Sequence, residues 1–468
     1  MRILASVLPT PQQLTILGDS GPGYRVIRGA AGSGKTTTAL LRLKQLKRSR
    51  LARRLRLGEE APVRMLVLTF NRTLAGYVKE LTREQEQDSG LKLEVSTFSK
   101  WARGLAREID ILDREDAGPI LRRLLAGIAR DDRPIDFLVD EVEYALSRFP
   151  REDLSDYVGA ARTGRGRSPR VDAQLRKRLL TEVIEPYHQE KERQGRHDWN
   201  DLALLAGAAP GPLYDVVIVD EAQDFSANQI RALRSHLAPD HSTTFVLDSV
   251  QRIYAPHFTW AEVGISLRPQ QIHMLHHNKR NTREIAAFAG SLVSDLPMED
   301  DGALPDFTQC TATGPRPKIV AGRFGAQIDH MLDDVLTRAD LAEESIAVLH
   351  PRGGGWFNHV RGELVRRGVA FCELTGTSLW PAGPENVALS TIHSAKGLEF
   401  DHVLIPGLSR QITPHGTGDG DGSLDQLKRL LAMGIGRARR SVMLGYKPGE
   451  ESTLIGLFEP ATYDLVQV

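Results

Sequence analysis

Gly29-Ala-Ala-Gly-Ser-Gly34-Lys35-Thr36 follows the apolar run Tyr24-Arg25-Val26-Ile27 and leads into Thr37-Thr38-Ala39-Leu40-Leu41. The first flank has the composition of a short strand and the second that of a helix start. That is the setting a G-x-x-x-x-G-K-[ST] turn requires. Glycines let the turn bend so that several backbone N–H groups point into one concavity, and the helix N-terminus adds its positive end. Gly29, Gly32, Ser33 and Gly34 would line the cradle, with Thr37 at the helix start. Lys35 would reach the β- and γ-phosphates, and Thr36 would offer a hydroxyl to Mg²⁺. The stretch predicts a nucleotide-phosphate site between a strand and a helix.

A chain of 468 residues is long enough for two or three domains with their own cores. Hydrophobic content of 41% and charged content of 26% are those of an ordinary globular protein. No apolar run approaches membrane-span length, and residues 3–8, broken by Pro9, are too short for a secretory leader. Cys310 and Cys372 lie far apart without a C-x-x-C, so neither a disulfide framework nor a zinc site is suggested. A reducing cytoplasm, with no membrane partner, is the expected setting.

Net charge is zero, which does not announce a nucleic-acid binder. Basic residues nevertheless gather at Arg42, Lys44, Lys47, Arg48, Arg50, Arg53, Arg54 and Arg56. A second cluster holds Arg162, Arg165, Arg167, Arg170, Arg176, Lys177 and Arg178. Each is either a solvated face or a track for phosphates.

A helix is expected over 37–50, then strands over 64–70 and 91–98. From about 102 to 195 the sequence becomes helical and charged, a helical insertion into an α/β domain. Buried-strand patterns return at 213–219 and 243–247. A polar break bracketed by Pro297 and Pro305 separates a second unit. There, strands are expected over 317–321, 345–350, 387–390 and 402–406, with helices over 327–338 and 356–368. Residues 411–425, rich in glycine and aspartate, read as a flexible loop. Alternating strands and helices argue parallel sheets.

Asp215-Val-Val-Ile-Val-Asp220-Glu221-Ala-Gln223-Asp224 is an apolar strand ending in carboxylates. Ligands of open α/β sheets bind at that edge. Asp220 would hold Mg²⁺, directly or through water, and Glu221 would orient or deprotonate the attacking water.

Other segments fall into one order along the chain. They are Leu8-Pro-Thr-Pro-Gln12, Leu68-Thr69-Phe70-Asn71, Ser96-Thr97-Phe98-Ser99 and Leu247-Asp248-Ser249-Val250-Gln251-Arg252-Ile253-Tyr254. Further on come Asn278-Lys279-Arg280-Asn281, Ser390-Thr-Ile-His393-Ser-Ala-Lys396-Gly-Leu-Glu399-Phe400 and Met433-Gly-Ile-Gly436-Arg437-Ala-Arg439. With Asp220–Asp224, this series resembles the motifs of UvrD/Rep-like superfamily 1 helicases.

The resemblance implies an α/β fold of two RecA-like, parallel-sheet P-loop NTPase domains. Residues 1–100 and 196–277 would form the first, 101–195 its helical insertion, and 278–468 the second. Asp198-Trp199-Asn200-Asp201-Leu202 is similar to the family segment where the insertion rejoins the core. Gln12 would read adenine, Glu399 would join the nucleotide site, and Gln251 would sense the γ-phosphate. Arg280 and Arg437 would reach across from the second domain, because the transferring phosphoryl group spreads negative charge that a planar guanidinium grips at two points. Hydrolysis would then be coupled to domain closure. Phe70, Phe98, Tyr254 and Trp260 are candidates for stacking on bases, with core packing as the alternative for each. Asn71, Thr97 and His393 would contact the strand, and His393 has a structural role as its alternative.

Three departures stand out. Lys279 occupies the position of an adenine-stacking tyrosine, Pro256 that of a tryptophan, and Gly436 that of a threonine. The large insertion of the second domain in the family is absent or vestigial, given the short span between Arg280 and Thr391. The implied function is an ATP- and Mg²⁺-dependent translocase or helicase on single-stranded DNA, or on DNA with a single-stranded tail. Its direction would be 3′→5′, and its setting repair, recombination or anti-phage defence, with a nuclease or other protein as a potential partner. The competing reading is an ATP-gated DNA-binding regulatory subunit of a nuclease-containing complex; RNA is a further substrate option.

Overall fold

The computed structural model describes residues 9–29, 32–70, 72–82, 90–130, 133–162, 170–248, 258–275, 281–296, 310, 312–377, 379–381, 383–415 and 422–468. Two parallel sheets organise them. The first has six strands: β1 (Gly23–Gly29), β2 (Val63–Thr69), β3 (Leu91–Thr97), β4 (Tyr214–Val219), β5 (Leu237–Asp248) and β6 (Ile272–Leu275). Their order is β3-β2-β4-β5-β1-β6, so β1 and β4 flank β5 at the centre. The second sheet has seven: β7 (Lys318–Ala321), β8 (Ile346–His350), β9 (Phe371–Glu373), β10 (Val387–Thr391), β11 (Phe400–Ile405), β12 (Ala438–Tyr446) and β13 (Asp464–Gln467). Their order is β13-β7-β12-β11-β8-β10-β9.

The helices, in chain order, begin with α1 (Pro11–Gly18), α2 (Lys35–Leu57), α3 (Arg72–Thr82) and α4 (Phe98–Ala106). The insertion supplies α5 (Arg114–Leu125), α6 (Ile135–Arg148), α7 (Ala173–Arg178) and α8 (Glu185–Gln194), the last two joined through a π-turn over Leu179–Ile184. Then come α9 (Trp199–Ala208), α10 (Ala227–Arg234), α11 (Arg283–Ser291), α12 (Phe324–Arg338), α13 (Phe357–Arg366) and α14 (Gly422–Ile435). Helix α14 begins inside the stretch expected to be a loop through residue 425; the apolar residues Leu424, Leu427, Leu430 and Leu431 recur at helical spacing and pack on the core. Among the described residues no helix is long and apolar enough to cross a membrane.

Helix α2 runs past its expected end at residue 50. Its stripe of Ala39, Leu43 and Leu46 is buried against the first sheet. Gly58, at φ 68°, stops it, with the Gly58 and Glu59 N–H groups donating to the Leu55 and Arg54 carbonyls.

Part of the basic cluster along α2 is spent inside the protein. Arg42 is fully buried and donates to the Ile16 carbonyl and to Thr244 Oγ1; Arg50 pairs with Asp240 and Arg54 with Asp215. These contacts pin α2 to α1 and to the sheet edge away from the phosphate loop. Lys44, Arg48 and Arg56 remain exposed.

The insertion has a separate core running from Leu112 to Tyr187, whereas Trp101 and Ala102 of α4 pack with the first sheet. Lys191, at the end of α8, is buried and reaches both Asp198 (2.7 Å) and Asp201 (2.6 Å), the two residues that build the N-terminal capping box of α9. That contact explains why both aspartates are present where the insertion returns to the core.

In the second basic cluster, Arg162, Arg176 and Arg178 have partners within the protein, while Arg170 and Lys177 are exposed. Arg162 pairs with the fully buried Glu141 at 2.8 Å, and Arg176 donates to the carbonyls of Tyr157 (3.1 Å) and Ala160. Arg178 pairs with Glu182 along its own helix. Of the two readings of this cluster, a structural role fits Arg162 and Arg176, whose guanidinium groups face protein acceptors. Arg165 and Arg167 lie outside the described residues.

Candidate active site

Strand β1 delivers the chain to Gly29, and α2 leaves from Gly34. Gly34 sits at φ 78° and Gly32 at φ 80°, backbone that favours glycine at both positions. A Cβ on Gly29 would meet Ser33 Oγ at 2.4 Å and the Leu275 carbonyl at 2.8 Å, so the turn closes tightly against β6. Ser33 is buried, and its hydroxyl has no hydrogen-bond partner among the described residues. A buried hydroxyl of this kind in a glycine turn suits an incoming anion. Lys35 is buried at the first position of α2, and Thr37 is exposed two residues on. Ala30 and Ala31 lie outside the described residues.

Strand β4 ends at Val219 and presents Asp220, whose N–H donates to the Leu68 carbonyl of β2. Thr36 Oγ1 donates to Asp220 Oδ2 at 3.0 Å, which joins the phosphate loop to the acidic strand end. Burial, reinforced by the neighbouring Glu221 charge, pushes the Asp220 carboxyl up to about 7, while the Thr36 hydrogen bond opposes the shift. A buried carboxylate beside a threonine hydroxyl is an oxygen-donor set suited to Mg²⁺. Glu221 occupies the left-handed region at φ 54°, an uncommon conformation for a residue with a side chain. Gln223 Nε2 donates to Glu221 Oε2.

Adjacent glutamines divide the work at α1. Gln12 Nε2 donates to the Met274 carbonyl at the end of β6, 2.5 Å away. Gln13, to which the sequence assigns no role, is buried and donates to Thr38 Oγ1 at 2.9 Å, bracing α2 behind the phosphate loop. Its signal was local: Thr10 and Gln13 form a capping box.

From the second unit, the turn between β10 and β11 carries His393, Lys396 and Glu399. His393 is exposed and Glu399 half-buried. Lys396 is buried and pairs with Asp224 Oδ2, and its Nζ lies 3.6 Å from Glu221 Oε2. Arg437 is 2% exposed, and its Nη1 donates to the Leu398 carbonyl of the same turn. Asn281, also unassigned from sequence, donates to the carbonyls of Gly436 (3.2 Å) and Ala438 (2.6 Å) on either side of Arg437. The structure therefore brings the residue after Arg280 to the backbone around Arg437. Arg280 itself lies outside the described residues, as do Gln251, Tyr254, Asn71, Lys279 and Pro256.

The candidates for strand contact separate by exposure. Phe70, at the end of β2, is 42% exposed. Thr97 caps α4, its hydroxyl accepting from the Lys100 N–H at 3.4 Å. Trp260 is half-buried, its ring centroid 4.7 Å from that of Phe245. Phe98 corrects its expectation as a stacking surface: it is buried, tilted against Trp101 and edge-on to Phe225. It stands where α4 packs on the first sheet, which leaves no face for a base. Among the described residues no cluster of histidine, cysteine and carboxylates could hold a further metal, and both cysteines are free thiols.

Comparison with known proteins gives concordant matches. The UvrD/REP helicase N-terminal domain family matches residues 10–271, and the UvrD-like helicase C-terminal domain family matches residues 375–448. The ATP-dependent DNA helicase UvrD2 of Mycobacterium tuberculosis is 24% identical over a 581-residue alignment covering 95% of this chain and 79% of that protein. The ATP-dependent DNA helicase Rep of Escherichia coli is 34% identical over 58 residues, 12% of this chain and 9% of its own. The ATP-dependent DNA helicase srs2 of Schizosaccharomyces pombe is 42% identical over 60 residues, 13% of this chain and 6% of its own.

Proposed function

From the premise that this chain belongs to the UvrD/Rep helicase family, we propose that it is an ATP-driven motor on single-stranded DNA, translocating 3′→5′ and separating duplexes. One observation carries the reading. The phosphate loop and the acidic strand end meet through Thr36 and Asp220, while a second-unit lysine reaches Glu221 of the same strand end. The site is thereby built from both α/β units, as coupling of hydrolysis to their relative motion requires.

The two separate sheets and the separate core of the helical segment support a division into two motor domains with the helical insertion in the first. Gly29 to Gly34 would bind the phosphates of ATP, with Lys35 as the cationic clamp and Gln12 at the base. Thr36 and Asp220 would hold Mg²⁺, which supplies positive charge to the phosphate oxygens when bound. Glu221 would orient the attacking water and accept its proton. Arg437 and Arg280 would stabilise charge on the transferring group from the second domain. Phe70, exposed at the end of β2, is the best placed of the described aromatics to stack on a base, and His393 and Thr97 offer polar groups to the backbone. The motor would act in repair, recombination or defence against foreign DNA.

Assays of ATP hydrolysis with and without single-stranded DNA, joined to strand displacement, test this reading. Hydrolysis should rise with single strands and fall with salt. Lys35→Ala should nearly abolish it, and Glu221→Gln should bind ATP without turnover. Hydrolysis indifferent to DNA would refute the motor.

A further inference from the structure

Lys396 begins in the second unit and ends in the first. An ammonium buried this deeply is costly unless it is paired, and its partners are specific. Asp224, with a side chain 0% exposed, takes the direct ion pair, and Glu221 Oε2 lies 3.6 Å from the same nitrogen. That nitrogen also sits 5.5 Å from the centroid of the Phe70 ring, within cation–π range. One side chain thus touches the carboxylate proposed to orient water and the exposed aromatic at the end of β2.

The surroundings hold this contact in place. Gly397 follows at φ 83°, and a Cβ there would meet Leu74 Cδ2 at 2.7 Å, so the turn can press on α3 only through a glycine. Thr73 Oγ1 donates to the Leu374 carbonyl at 2.6 Å, and Tyr77 packs edge-on to Trp380 at 4.9 Å. Helix α3, which follows Phe70 closely in the chain, is therefore clasped by the second unit along its length.

We propose that Lys396 is a positioning residue that ties strand occupancy at Phe70 to the orientation of Glu221. Glu221 Oε2 is engaged by Gln223 and Lys396, which leaves Oε1 as the oxygen to serve an attacking water. A base packed on Phe70 restrains the ring against which the ammonium leans. The ammonium in turn fixes the carboxylate through charge. The link is distinct from Gln251 and runs through the second domain. It rests on the proposed function, and its test is arranged to tell the two apart.

The experiment measures ATP hydrolysis by wild type, Lys396→Met, Lys396→Arg, Phe70→Ala and the Lys396→Met/Phe70→Ala double variant, against ATP and against oligo-dT, with thermal melting of each. Lys396→Met should lower the strand-stimulated kcat about tenfold, the rate equivalent of one charge-assisted hydrogen bond. KM for ATP should stay within about twofold, because a positioning group for the water does not bind the nucleotide. Lys396→Arg, which keeps the charge, should recover most of the rate. The double variant should be no worse than Lys396→Met alone, as coupled residues require. Full stimulated kcat in Lys396→Met, or multiplicative losses in the double variant, would overturn the proposal. If Lys396→Met does not fold, Phe70→Ala decides: unchanged stimulation by oligo-dT overturns it. A wild type that hydrolyses ATP without responding to oligo-dT refutes the proposed motor and the strand half of this link. The Glu221 half is then read from basal kcat, which Lys396→Met must lower.

Discussion

The pair Glu141–Arg162 decides whether the charged end of the insertion is a DNA contact or a structural post. Glu141 is 0% exposed and accepts from Tyr157 Oη at 2.9 Å and from Arg162 Nη2 at 2.8 Å, while the Arg162 side chain is 11% exposed. Removing one partner of such a pair takes compensation away from a buried charge, at a cost of up to about 3–5 kcal/mol. Arg162→Ala should therefore destabilise the insertion by that amount, a large share of the ~5–15 kcal/mol that holds a typical domain. Glu141→Gln together with Arg162→Met removes both charges, keeps an acceptor for the Tyr157 hydroxyl and conserves volume. That double variant should recover stability to within about 1.5 kcal/mol of wild type. Urea denaturation measures the first quantity, and fluorescence anisotropy with a labelled oligo-dT measures strand affinity at fixed salt. Affinity should stay within about twofold of wild type in the folded double variant, because the lost charge faces protein. A loss of about tenfold or more with the fold intact would show that Arg162 meets phosphate, and the structural reading would fail.

Gly397→Ala should strain a left-handed position and drive a methyl into Leu74, costing about 2–4 kcal/mol in total; melting temperature checks this, and an unchanged value would mean α3 is not clasped as described. For Asp220, a folded-state carboxyl raised to about 7 binds a proton that the unfolded chain has released near 3.8. The folded state then holds more protons between those values, so this residue's contribution to stability falls as pH rises from about 4 to about 7. Nucleotide-free Asp220→Asn should gain melting temperature over wild type as pH goes from 5 to about 7.5, and a difference that does not vary with pH would contradict the shift. Phe70→Ala should raise the half-saturating oligo-dT concentration about fivefold or more with little change in melting, as loss of one stacked base implies. Phe98→Ala should instead cost about 3–5 kcal/mol of stability, as for a buried aromatic.

Much of this arrangement was readable from residues alone, because glycine turns and strand-end carboxylates are local signals. The strands preceding Gly29 and Asp220, and both α/β units, follow from apolar runs bounded by turns. Residues whose role depends on long-range contact gave weaker signals. Gln13 resembles its neighbour in sequence and differs from it only in facing Thr38 instead of Met274. Asn281 acts on backbone carbonyls more than 150 residues away. The arginine clusters stayed open between two readings because charge density does not reveal partners: Asp240, Asp215 and Glu141 lie far off in the chain. Phe98 was ambiguous for the same reason, since an aromatic after a strand can face a groove or a core. Short edge strands such as β9 and β13 were missed, being three and four residues long, too short to display a period.

The proposed motor stands or falls on whether the site formed by Thr36, Asp220, Glu221 and the Lys396 turn hydrolyses ATP in response to a single strand. Steady-state hydrolysis by the purified chain, with and without oligo-dT and with Glu221→Gln as control, tests it most directly. Strong stimulation by the strand at low salt, loss of turnover in Glu221→Gln and retention of nucleotide binding by that variant are expected. Equal hydrolysis with and without the strand, or full turnover in Glu221→Gln, would contradict the proposed motor.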